Sequence, residues 1–424
     1  MSATSKAFCL LIFSFFFSFK GFAQINQVNS PYSIAGTGDI HPTQFAFNRA
    51  MGGVSTALRT PLNINYGNPA SYSSLQLTTY EIALQGSALW LNTATEQHRT
   101  ATGNLSYLAF AFPLKKYWGA SFGILPYSYF HYDISVNKSQ EGIDTLQYRF
   151  LGNGQLYQVY FGNGFKYKSV SAGLNLGYVF GTQSRQLRQT FPSEENVFNN
   201  VRTQDIFPRG FIWNLGLQYD LKLSKKLNLI FGASGNAGTK LNSTQNTRWE
   251  RAQIEDDNVS VIDTLFITND QKGKISLPAK ISTGVSLQST DQWIVSADVS
   301  WENWEQFRFY EQSDTSLTNS LKFSTGATIV PDSRSSGSFF KNSSYSAGGY
   351  FGTGRLTMHD TRLTEWGITF GMGMPLKRVR SRLNLSVELG QRGTIQNALI
   401  RETSLLATFG FTLNDKWFIK RRYD

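Results

Sequence analysis

Cysteine is almost absent from this 424-residue chain, and the single one, Cys9, lies in an apolar run near the N-terminus. Residues 1–23 read as a secretory signal peptide: Lys6 gives the positive start, Cys9 to Phe19 the apolar stretch, and Gly21-Phe22-Ala23 small residues for cleavage. Its removal leaves no thiol, which excludes disulfides, thiolate metal sites and cysteine catalysis together. The run is short of the roughly 20 apolar residues that a membrane-spanning helix needs, and no longer one follows it. Histidine is scarce too. His41, His98, His131 and His359 show no metal-pair spacing, and no Gly-x-Ser-x-Gly elbow accompanies them. The sequence therefore offers no catalytic residue, no metal and no cofactor site. Its many serines leave a Ser/His lipase as the one enzymatic alternative.

What is abundant points elsewhere. Aromatic residues make up 14% of the chain, glycine is frequent at 37, and mean hydropathy is mildly negative at −0.27. A transmembrane β-barrel has this profile, because only every second residue meets lipid while aromatic girdles raise the Phe, Tyr and Trp counts. The formal net charge is +11, but Lys115-Lys116, Lys225-Lys226, Lys377-Arg378 and Lys420 to Arg422 are scattered over turns and strand ends. That distribution suits lipid headgroups or the periplasm and argues against nucleic acid.

Alternation with a period of two begins at Thr78. Tyr80, Ile82, Leu84, Gly86, Ala88 and Trp90 share one face and Glu81, Gln85 and Ser87 the other; comparable stretches recur at 211–221, 293–302, 366–374 and 383–392. About fourteen such segments can be counted, within the even-numbered range of outer-membrane barrels, and an even count puts both termini on the periplasmic side. Short turns at 222–226 and 289–291 alternate with polar stretches at 190–205, 240–258 and 310–318, read as external loops. A soluble β-sandwich shares the period of two, but aromatic strand ends and alternating connection lengths favour the barrel.

Residues 24–77 lack this pattern. They are rich in Gly, Asn and Ser, with a short helix expected within Thr43–Leu58, broken at Gly52-Gly53, and a turn at Asn68-Pro69. They read as a plug inside the barrel, with 78–424 as its wall. Pro126, close to Gly123 and Tyr127 in the third strand, removes a ladder hydrogen bond from a wall that should have no edge. It marks either a lateral opening or a bulge near the rim. Charges facing lipid cost about 2–4 kcal/mol near the midplane, so Asp298, Glu302, Glu388 and Arg392 are expected to face inward, pairing with the plug or lining a ligand path.

Arg49-Ala50 with Gly52-Gly53 and Ala57, then Asn68-Pro69-Ala70 directly before the first strand, make the chain resemble the FadL-like outer-membrane transport family, the long-chain fatty-acid transporter type. The resemblance implies an all-β, transmembrane antiparallel barrel of about fourteen strands. It implies an N-terminal hatch in the lumen, involving Arg49, Gly52, Gly53, Asn68, Pro69 and Ala70, and a kinked third strand opening the wall sideways. The chain departs from the usual pattern by running past Trp417-Phe418 to Asp424, whereas most such barrels end on an aromatic residue.

Two functions fit a Gram-negative outer-membrane barrel of this kind, neither enzymatic. One is passive uptake of a hydrophobic, fatty-acid-like molecule, with inward Gly and Ser leaving room for it and exit into the outer-membrane lipids at strand three. The other is a non-transporting subunit or shuttle of a larger secretion or assembly complex, with other outer-membrane proteins as partners. The sequence does not identify the ligand.

Overall fold

The computed structural model describes residues 30–140, 143–191, 197–255, 257–290, 292–332, 339–376 and 381–416. The leader at 1–23, the Lys377-Arg378 pair, Trp417-Phe418 and the basic tail lie outside them. The described residues form one closed antiparallel barrel whose wall has fourteen positions. The first six are β1 Thr78–Asn92, β2 Gln97–Lys115, β3 Trp118–Tyr129 continuing as Tyr132–Gln140, β4 Ile143–Tyr167, β5 Val170–Thr190 and β6 Asn199–Lys222. Two interrupted strands follow: β7, Leu227–Asn236 then Lys240–Glu255, and β8, Asn258–Ser276 then Lys280–Ser289. The circuit ends with β9 Trp293–Glu302, β10 Ser320–Ile329, β11 Ser344–Met358, β12 Thr361–Pro375, β13 Arg382–Arg392 and β14 Arg401–Asp415. Thr78 opposite Asp415 through Asn92 opposite Arg401 closes β1 on β14. Closure removes the free edge that an open sheet would present to hydrocarbon, where unpaired groups are too costly, except where the β2–β3 ladder splits.

The alternation read from the sequence becomes inside and outside. Leu84, Phe161, Leu215, Phe231, Val295, Phe323, Phe351 and Phe370 are exposed on the outer surface. Their neighbours in the chain, such as Ser296 and Thr369, are buried. This is the apolar band that lipid requires.

The polar stretches expected as loops are mostly strand. Residues 240–255 are the upper half of β7; of 190–205, Thr190 ends β5 and 199–205 open β6, with 192–196 outside the described residues; and 310–318 includes half of a small hairpin. β4, β5 and β6 have 25, 21 and 24 residues, whereas about 9–11 suffice to cross a bilayer. Polar composition cannot separate an extended strand from a loop, because outside the membrane both faces of a strand are wet. β4 to β8 therefore project well beyond the lipid at the end opposite Thr78 and Asp415, called here the far end.

Residues 30–77 lie within the wall. A single helical turn, Ala46–Arg49, is the helix within 43–58, and it ends before Gly52-Gly53. A 3-10 helix, Pro69–Ser74, follows Asn68, whose side chain caps it by accepting from the Ala70 N–H. Three buried apolar clusters hold segment and wall together. Two occupy the near half, around Phe45, Ile64, Tyr72 and Tyr107 and around Met51, Val54 and Leu58. The third fills the far half with Tyr32, Ile206, Leu241, Ile275, Trp304, Phe307 and others.

Candidate functional site

The segment Arg49 to Ala70 is gripped at nearly every turn. The Gly52 N–H donates to Thr369 Oγ1 at 2.8 Å. Ser55 and Thr56 both donate backbone N–H to Asp298 Oδ2, at 2.7 and 2.8 Å. Arg59, not singled out from the sequence, reaches Ser171 at 2.7 Å and Gln218 at 3.1 Å. The Asn68 amide donates to the carbonyls of Thr56, Leu217 and Ala233. Pro69 and Ala70 are buried against β4 and β5: a side chain at Gly164 or Gly173 would run into the Pro69 backbone. Arg49 is 4% exposed; it donates to Gln44 O and Pro42 O, bonds Gln85, and lies 3.0 Å from His41 Nε2. Burial and the adjacent Arg49 charge hold the His41 imidazole well below its usual range, which keeps it neutral and able to accept from that guanidinium.

The inward glycines expected to leave room for a ligand are the places where the segment's backbone touches the wall. A Cβ at Gly232 would meet Thr56 O at 2.1 Å, one at Gly326 would meet Met51 O at 2.2 Å, and one at Gly348 would meet Gly52 N at 2.4 Å. Gly52 has φ +69, and its own Cβ would strike Thr325 O and Gly349 O. Small residues here exchange side-chain volume for close approach of two backbones. The expectation of open space fails because a period-two pattern shows which face is small, not what fills it.

The inward polar residues divide by partner. Asp298 bonds the segment, as above. Arg392 makes a bidentate pair with Asp39 at 2.8 and 3.0 Å, bonds Glu402, and lies over the Tyr32 ring. Glu302 stays within the wall, paired with Lys280 at 2.8 Å and accepting from Trp304 Nε1, and Glu388 accepts from Tyr350 OH at 2.7 Å. Arg185 and Arg355, unremarked in the sequence, donate to Gly36 O and Gly38 O, and Gln183 to Thr37 O. Three strands thus clamp the turn Gly36–Asp39. Burial alone would raise the Asp39 carboxyl; the Arg392 and Arg355 guanidiniums outweigh it and hold the carboxyl below the usual range. The local signals for this clamp were the Gly-Thr-Gly-Asp turn and the inward Arg392; Arg185 and Arg355, more than a hundred residues from the turn, gave none.

At strand three the β2–β3 ladder runs from Lys115 opposite Trp118 only as far as Leu108 opposite Ile124. Gly123 sits in the last rows, where a Cβ would meet Leu108 O at 2.4 Å. Beyond, β3 pairs instead with a two-residue strand, Asp39–Ile40, through Tyr129 and Ser128. On its other side β3 stays on β4, with Pro126 opposite Tyr157 and an irregularity before Ser128. Tyr127 is the extra residue, and its carbonyl accepts from the His41 N–H at 2.9 Å. Ser30 donates its N–H to His131 O and its hydroxyl to Glu402, so the first described residue lies in the far half, whereas Thr78 and Asp415 mark the near end.

The fold is that of FadL-like channels. The Pseudomonas putida toluene transporter TodX superposes with a TM-score of 0.60 at 15% identity, over 89% of this chain and 99% of that one. The Ralstonia pickettii toluene transporter TbuX gives 0.57 at 13%, over 88% and 99%, and a Pseudomonas aeruginosa FadL homologue 0.57 at 10%, over 90% and 100%. At these identities the likeness establishes the fold. No curated protein matches the chain. A family model described as BamG matches residues 5–424, and the chain belongs to the BamG family.

Proposed function

We propose that this protein is an outer-membrane barrel with a filled lumen that works as a structural subunit of a larger assembly of outer-membrane proteins. The observation that carries this reading is the filling. In the near half, residues 46–74 contact the wall glycines backbone to backbone. In the far half, Ile206, Leu241, Ile275, Phe307 and Leu356 close an apolar core at 0–2% exposure. Residues 24–77 act in this reading as a permanent hatch, held by Arg49, Gly52, Gly53, Asn68, Pro69 and Ala70, with Asp298 and Arg392 as wall anchors. The far half of β8 supports the need for a partner: Val261, Ile262, Leu265 and Ile267 are exposed above the lipid-facing band, and such apolar surface in water favours a protein contact.

A second reading is favoured by the split β2–β3 ladder. The structural relatives include channels described as toluene transporters, and a hydrophobic small molecule could leave this barrel sideways past Gly123, Pro126 and Tyr127. The hatch strand Asp39–Ile40 would then be the movable part. Pro126→Val, able to donate its N–H and extend pairing, is expected to slow such passage while the barrel stays folded. Unchanged passage in a folded variant removes the side exit.

Mild-detergent extraction at endogenous expression, followed by native mass spectrometry, tests the first reading. A stoichiometric complex with other outer-membrane proteins is the expected result. A lone barrel carrying a lipid-sized mass overturns it in favour of passage.

A further inference from the structure

The far-end extension holds a cleft that neither reading uses. Its floor is the inner face of β6, β7 and β8. Thr247 lies opposite both Gln204 and Thr268 in the two ladders, and Gln245 opposite Gln271. Its wall is the hairpin Arg308–Phe309 and Gln312–Ser313, docked on the foot of β8 through Phe309 opposite Ile275. The cleft, open on one side, has a volume of about 560 Å³. Amides, hydroxyls and rings line it, with Arg202 as its charge; no aliphatic side chain and no carboxylate belongs to the lining among the described residues. That chemistry disfavours an alkyl chain, which would leave the amides unpaired, and a cation, which would want an acidic partner.

We propose that this cleft binds an oligosaccharide, hexopyranose rings stacking on Tyr310 and Phe266 with their hydroxyls hydrogen-bonded by Gln204, Gln245 and Gln271. Vicinal hydroxyls need groups that both donate and accept, which a carboxamide supplies. The apolar C–H face of a pyranose needs a flat apolar partner, which an aromatic ring supplies. Gln245 is 8% exposed and oriented by donating to Thr247 Oγ1 at 3.1 Å, which leaves its carbonyl oxygen for a ligand hydroxyl.

The backbone gives an independent reason to regard the cleft as built for a ligand. Tyr310 and Glu311, the two central residues of the hairpin, have φ +50 and +69. A two-residue turn of this kind normally uses Asn-Gly or Asp-Gly, because other side chains are strained there. Strain of this sort persists where surrounding structure enforces it and concentrates at binding sites. The surroundings enforce it here. A Cβ at Gly273 would meet the Tyr310 ring at 2.2 Å, so the ring lies flat on the β8 backbone where any other residue would displace it. The Tyr310 hydroxyl donates to Gln271 O at 3.3 Å, and Phe309 packs beside it with ring centroids 4.9 Å apart. The inference stands apart from either reading of the lumen, since no residue of the hatch contributes to the cleft.

The test uses the full chain in a detergent without a sugar headgroup, which would otherwise compete. Gluco-, manno- and galacto-configured neutral hexasaccharides, each with a uronic-acid-containing counterpart, are titrated by calorimetry. At least one is expected to bind saturably, and Tyr310→Ala to weaken it tenfold or more, with Tyr310→Trp retaining it. Tyr310→Gly relieves the backbone strain that Tyr310→Ala keeps, so it is expected to melt above the alanine variant while binding no better, which separates loss of the ring from a distorted turn. Arg202→Gln affects only an acidic ligand. No saturable binding across the panel, or full binding by a folded Tyr310→Ala variant, overturns the proposal.

Discussion

Single residues decide how firmly the hatch is held. Asp298 satisfies two buried backbone donors with one carboxylate oxygen. Asp298→Ala orphans both, at about 1–3 kcal/mol per buried donor, so amide exchange at Ser55 and Thr56 should accelerate sharply while the wall strands stay protected. Asp298→Asn keeps an acceptor and should cost less. Wall glycines make a paired prediction. Gly232→Val drives a side chain into Thr56 O and should cost at least the ~1–3 kcal/mol of ordinary overpacking. Gly86→Val, where nothing lies within 4 Å, should leave the unfolding free energy from a urea titration within about 0.5 kcal/mol of wild type. Acid should loosen the clamp in two stages. The His41 and Asp39 pKa values both lie below their usual ones in the folded chain, so each contributes stability that is complete above its unfolded value and falls as pH drops. Loosening should begin below about 6.5, through His41, and deepen below about 3.9, through Asp39. Exchange at residues 36–41 between pH 8 and 3 reads both, and exchange that slows on acidification contradicts the assignment.

Among elements, the strand Asp39–Ile40 sits at the point where the two functional readings part. It takes the place on β3 that β2 gives up above Leu108. Ile40 and Ser128 are ladder partners, with Cα atoms at the ~4.5–5.5 Å of an antiparallel pair, inside the span of a disulfide. The chain's one cysteine, Cys9, lies in the stretch read as leader, so the double variant Ile40→Cys, Ser128→Cys has no competing thiol after processing. Oxidation should pin the hatch strand without hindering folding. If hydrophobic molecules leave through the split, the pinned form should lose uptake and regain it on reduction. If the barrel is a structural subunit, pinned and free forms should recover the same partners equally well.

For the whole molecule, residues 30–77 and the wall side chains that meet them fill the lumen in both halves, up to the far-end cleft. Deleting 30–77 should leave a folded wall lined by glycine and serine, and planar-bilayer recordings should then show steady ion conductance where the intact protein shows almost none. Equal conductance would mean that the segment does not block the lumen. The strand positions, the outward band and the inward placement of Asp298 and Arg392 were legible in the sequence, because lipid on one side imposes a strict period of two. The neighbour that each inward group meets was not. Glu302 and Arg392 carry the same local signature, yet one pairs within the wall and the other with Asp39.

By itself the sequence determined a closed antiparallel wall with a non-alternating segment ahead of it, since alternation and turn chemistry are local and the bilayer permits no open edge. Only the tertiary structure decided that the inward glycines are contact points and not cavity, that three distant arginines grip Gly36–Asp39, and that Tyr310 is pressed flat on Gly273. Each of these depends on backbones far apart in the chain being brought within a few ångströms, and no local pattern of residue types encodes that distance.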